Sequence, residues 1–120
     1  MRIGRSAALA AAIGLAAACG DDTLRNRVTV DATENQTFSP RTVTLEVGGQ
    51  VTWEFHALGH NVTFDPAAAG RPADIPGVNL EVAIGRTFDT AGPFSYHCSI
   101  HPSMTGEVIV QQASEAGVGY

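Results

Sequence analysis

The sequence is short of cysteine, of positive charge and of long apolar runs, and each shortage argues against a class of protein. Two cysteines in 120 residues cannot form the dense disulfide framework of a small secreted scaffold. Seven basic residues, all arginine, stand against 12 acidic ones for a net charge of −5. Nucleic acid, whose binding rests on neutralised phosphates, is therefore a poor partner. No apolar run reaches the ~20 residues that a transmembrane helix needs. Beyond residue 18 there is no helical periodicity, and no segment repeats.

What is present begins with an export signal. Arg2 and Arg5 precede an uncharged run from Ser6 to Ala18 built almost wholly of Ala, Leu, Ile and Gly, the shape of a signal peptide that is removed on export. The string Leu15-Ala16-Ala17-Ala18-Cys19-Gly20 resembles the lipobox of bacterial lipoproteins, which implies that Cys19 is lipidated and becomes the new N-terminus. Its leucine sits one place early, and Ala16 with Ala18 also satisfies the small-x-small pattern of ordinary cleavage. The expected division is a signal peptide over 1–18 of the lipoprotein type, a lipid anchor and short linker over 19–27, one domain over 28–111 and a tail over 112–120. Loss of Arg2 and Arg5 leaves 5 arginines against 12 acidic residues, a charge of −7. Such a surface steers encounter with basic proteins, or serves solubility alone. With Cys19 lipidated, Cys98 is a lone thiol in an oxidising compartment, and it needs a purpose other than a disulfide.

Past Arg27 the chain alternates apolar and polar residues in short runs: Val28 to Val30, Val43 to Val47, Val51 to Phe55, Asn61 to Phe64, Leu80 to Ile84, Arg86 to Asp89, Phe94 to Cys98 and Glu107 to Val110. Gly48-Gly49 between two of them reads as a hairpin turn. About eight such strands predict an all-β fold, an antiparallel Greek-key β-sandwich. Its core is expected from Val28, Val30, Val43, Leu45, Val51, Trp53, Phe55, Val62, Phe64, Phe88, Phe94, Tyr96, Val108 and Val110. Asp65 to Gly77, rich in Ala, Gly and Pro, reads as a long surface connection.

The segment Tyr96-His97-Cys98-Ser99-Ile100-His101-Pro102-Ser103-Met104 spaces a thiolate, an imidazole and a thioether at intervals of three. That donor set suits a soft or borderline metal, and two histidines, a cysteine and a weak axial methionine make the blue-copper arrangement. His60 supplies the second imidazole, because it stands where one strand gives way to the next, at a pole of the sandwich. Alternation turns His97 away from the metal and leaves His56 outward and solvated.

On these residues the chain resembles the cupredoxins, and within them the plastocyanin and amicyanin group. The short spacing Cys98-x-x-His101-Pro102-x-Met104 is of the amicyanin type. The resemblance runs from about Val28 to Val110 and implies one copper ion held by His60, Cys98, His101 and Met104. Asn61 and Pro102 would support the ligands from behind, and His101 would show one ring edge to solvent. It implies a type 1 copper protein that carries one electron at a time between redox partners outside the cytoplasm, in the periplasm or at the cell surface. Contacts with those partners are expected to be transient, and the carrier monomeric and tethered to a membrane. The alternative is a copper-binding protein for storage, delivery or tolerance, using the same ligands. An enzyme is not expected. A multicopper oxidase needs several His-x-His motifs that are missing here, and a thiol enzyme has no use for Met104 on the same loop. Zinc could occupy the same donors.

Overall fold

The structure, a computed structural model, describes residues 26–113. The expected signal peptide, Cys19 and most of its linker, and 114–120 of the tail lie outside the described residues. The chain runs through nine strands: β1 (Arg27–Ala32), β2 (Phe38–Ser39), β3 (Thr42–Glu46), β4 (Gly49–Phe55), β5 (His60–Phe64), β6 (Ile75–Asn79), β7 (Val82–Phe88), β8 (Gly92–His97) and β9 (Thr105–Gln111). They form two sheets, in the order β2-β1-β4-β7 and β3-β9-β8-β5-β6, packed as an all-β sandwich. No α-helix occurs among the described residues.

Period-two patterning decides which way each strand faces. In β4, Gly49, Val51, Trp53 and Phe55 are buried while Gln50 and Thr52 are half-buried and Glu54 is exposed. In β9, Gly106, Val108 and Val110 point inward. The two inner faces meet on an aromatic cluster. Trp53 stands edge-on to Tyr96 with centroids 5.4 Å apart and to Phe64 at 6.0 Å, and Phe38 meets Tyr96 at 4.8 Å. Glycine at 106 is required by this packing, because a Cβ there would lie 2.4 Å from Cζ and Oη of Tyr96. The Tyr96 hydroxyl and the Trp53 indole nitrogen are buried without a hydrogen-bond partner. Burial pushes the Tyr96 phenol up to about 12, the nearby Trp53 and the Arg41 charge pulling the other way.

The all-β sandwich is as expected, with nine strands where about eight were read, and details of the strand pattern are corrected. The sheets are not wholly antiparallel: β1 lies parallel to β4, with Val30 opposite Trp53, and β3 lies parallel to β9, with Leu45 opposite Val110. These pairings arise because the chain crosses between sheets. The run Val43 to Val47 and the run Val51 to Phe55 do not form a hairpin either. At Gly48, whose φ of +91° suits glycine, the chain leaves one sheet and enters the other. Lastly, the connection expected from Asp65 to Gly77 ends in β6, which begins at Ile75; Pro76 and Gly77 disguise it by breaking alternation. The runs Leu80 to Ile84 and Arg86 to Asp89 merge into the single edge strand β7.

The expected core residues are all buried except Val28, which is half-buried against the core's margin. Ala32, Phe38, Ile75, Cys98 and Met104 join them. The last two close the core beneath the β8–β9 loop, where the chain's chemistry gathers.

Candidate metal centre

Two separate pieces of chain meet at one pole of the sandwich. β5 begins with His60, which is fully buried, and the loop from Cys98 to Met104 joins β8 to β9. That loop is drawn tight by its own backbone. Cys98 N donates to the Met104 carbonyl at 2.9 Å, and Met104 N donates to the His101 carbonyl at 2.8 Å. Cys98 and Met104 are buried in consequence, whereas His101 and its ring stay half-buried and Pro102 is exposed.

The donor atoms converge. Nδ1 of His60 and Nδ1 of His101 lie 3.2 Å apart, and Cys98 Sγ is 3.9 Å from each. A point equidistant from all three sits about 2.1 Å from each, within the range of about 2.0–2.3 Å for nitrogen and sulfur bonds to a metal such as zinc. The triangle therefore fits one ion of that size.

Protonation is arranged to suit a cation. Nε2 of His60 lies 2.8 Å from the Thr33 carbonyl. A carbonyl can only accept, so Nε2 carries the ring proton and Nδ1 presents its lone pair to the other donors. Burial, reinforced by the neighbouring His101, lowers the His60 pKa, with the Thr33 carbonyl opposing. The ring is thereby kept neutral, as a ligand must be. Asn61 N donates to Cys98 Sγ at 3.4 Å, a contact that fixes the sulfur's position.

Asn61 ties the two pieces together. Its Oδ1 accepts from Ser99 N at 2.8 Å and its Nδ2 donates to Ser99 Oγ at 2.7 Å. Among the residues singled out from the sequence, His60, Cys98, His101, Met104 and Asn61 thus share one pole. His97 is not among the converging donors.

Over residues 25–111 the chain matches the family model for copper binding proteins, plastocyanin/azurin family. It belongs to that family. Curated members similar to this chain include the amicyanin of Paracoccus denitrificans, 41% identical over 69 residues, which are 56% of this chain and 53% of the relative. The chloroplastic plastocyanin of Tetradesmus obliquus is 40% identical over 88 residues, 62% of this chain and 58% of that protein. The chain spans little more than half the length of these curated relatives. Among solved structures, an oxidised amicyanin variant superimposes with a TM-score of 0.63 at 32% identity, over 72% of this chain and 84% of the other. The family's metal is copper, and the donor triangle described above suits it.

Two supports of the plastocyanin/azurin-type pole are invisible in the sequence. One is the Thr33 carbonyl, a backbone group with no side-chain signature. It is aimed by a turn in which Thr33 Oγ1 accepts from Asn35 N and Thr37 N at 3.2 Å. The other is Asn79, whose Nδ2 donates to the His60 carbonyl at 2.9 Å. A second group of potential ligand side chains, Asp31, Glu54 and His56, lies on the outer face of β1 and β4. There His56 Nε2 already pairs with Asp31, and that hydrogen bond, helped by the charges of Glu81 and Glu54, raises the His56 pKa. A proton therefore competes with any cation at His56.

Proposed function

We propose that the chain is a type 1 copper protein that carries single electrons, and that His60, Cys98 and His101 would hold the ion, with Met104 as a weaker fourth ligand. The observation that carries this reading is the buried donor triangle of two imidazoles and one thiol, with only one of its rings reaching toward solvent. What copper supplies when bound is a one-electron couple between Cu(I) and Cu(II). The protein's part is to keep the donors still and dry. His60 is fixed at both its ring and its backbone, Cys98 sits at the closed end of β8, and the β8–β9 loop is laced by its own hydrogen bonds. Donors that cannot rearrange make electron exchange fast, because little has to move when the charge changes. The half-buried ring of His101 gives the electron its way in and out. Complete burial of His60 and Cys98 leaves no opening for a substrate on those donors, which supports a carrier over an enzyme.

We further infer that the carrier works outside the cytoplasm, tethered through Cys19 after removal of 1–18, and that it meets its redox partners as a monomer in brief contacts. The signal-like N-terminus and the lone thiol of the domain support this, and the excess of acidic residues favours basic partners.

The test is the visible spectrum of residues 20–120 with Cu(II), for the parent and for Cys98→Ser. An intense band near about 600 nm that ascorbate bleaches and the serine variant lacks is expected for a cysteine-ligated blue-copper site. Weak absorption that is unchanged by the substitution would sink the proposal.

A further inference from the structure

Main-chain pairing is irregular around His60. β5 and β6 pair His60 with Asn79 and then Val62 with Ile75, so β6 spends four residues where β5 spends two. The surplus bulges out. Pro76 has no N–H to offer, and Gly77 stands at φ +83°, where the ladder cannot continue regularly. Side-chain amides close the gap instead. Asn79 Nδ2 donates to the His60 carbonyl at 2.9 Å and reaches the Pro76 carbonyl at 3.2 Å. Asn61 Nδ2 donates to the Gly77 carbonyl at 3.2 Å. The bulged strand also presses on the residue before the histidine, since a Cβ on Gly59 would come 2.3 Å from Val78 Cγ1.

We propose that Asn79 is a positioning residue of the metal centre, holding the His60 backbone so that its ring stays in the donor triangle. This rests on the copper reading of the site. The Thr33 carbonyl pins the far end of the ring and the Asn79 amide pins the main chain from which the ring hangs. With both in place the imidazole cannot swing, and Nδ1 keeps its distances to His101 and Cys98. Without the amide, the His60 carbonyl loses the bond that the Asn79 side chain supplies and can turn, carrying the ring with it.

The experiment compares the parent with Asn79→Asp, Asn79→Ala, Asn79→Gln and, as a control away from the pole's contacts, Val82→Thr at an exposed position in β7. Aspartate matches asparagine in size but offers no donor when ionised. In the metal-free proteins, nitrogen-15 NMR follows the His60 Nε2 proton that the Thr33 carbonyl shields. Loss of its exchange protection is expected for Asn79→Asp and Asn79→Ala, partial retention for Asn79→Gln, and no change for Val82→Thr. With Cu(II) bound, the two disruptive variants should change the relative intensities of the visible bands and release copper to a chelator about tenfold faster, a loss typical of supports behind metal ligands. A merely structural role predicts lowered melting temperatures with ring-proton protection, band ratio and release rate all unaltered, and that result overturns the proposal. Should the parent form no blue band, the copper reading fails, while the ring proton in the metal-free proteins still decides whether Asn79 positions His60.

Discussion

Asn61 carries more of the pole than any other side chain that is not itself a donor. Besides its two bonds to Ser99 it accepts from Thr63 Oγ1 at 3.3 Å and donates to the Gly77 carbonyl, so one amide joins β5, β6 and the ligand loop. Truncation by Asn61→Ala removes part-buried bonds to Ser99 and Gly77, at a cost of about 1–3 kcal/mol. Copper affinity should fall roughly 10- to 100-fold. Urea unfolding and competition with a chelator measure the two effects separately. At this scale the sequence is most legible where a side chain does the chemistry. His60, Cys98, His101 and Met104 stand out because few purposes unite a thiol, two imidazoles and a thioether. Thr33 and Asn79 do not, because the first acts through its carbonyl and the second through a strand bulge whose register only tertiary pairing sets.

Among the elements, β1 and β4 hold the clearest dependence on pH. Their parallel register sets Asp31 beside Glu54, and His56 extends the same outer face to pair with Asp31. Because the folded pKa of His56 is raised, the protonated ring stabilises the fold. That stabilisation is complete below the unfolded value of about 6.5 and is lost as pH rises through the higher folded value. Relative to the parent, Asp31→Asn should therefore be most destabilised near pH 6 and progressively less so toward about pH 9. Urea midpoints across that range check it; a difference that stays constant with pH would argue against the pair. The elements also mark where pattern reading fails. Alternation in β3 and β4 gave their inward faces correctly, but a glycine pair between two alternating runs suits a change of sheet as well as a hairpin, and nothing local distinguishes the two. β6 went unread because proline and glycine erased its alternation, and the erasure is what allows its bulge.

For the whole molecule, connection order matters more than composition. β3 finds β9 across most of the domain, with Thr42 opposite Glu107, and β8 must then fit between β9 and β5. Such distant pairings require large loops to close before they are rewarded, so folding should take milliseconds to seconds. Stopped-flow tryptophan fluorescence reports it directly, since Trp53 lies at the centre of the core and is the only tryptophan. Microsecond refolding would contradict this account of the topology. The bulged β6 has one more effect at this scale. It is an outer strand of the five-stranded sheet, where a straight, open ladder would let a second molecule dock its own edge and begin a stack. Pro76, the left-handed Gly77 and the inward-turned amides deny that template. The kink that serves one histidine also keeps neighbouring copies from zipping together when the protein is crowded.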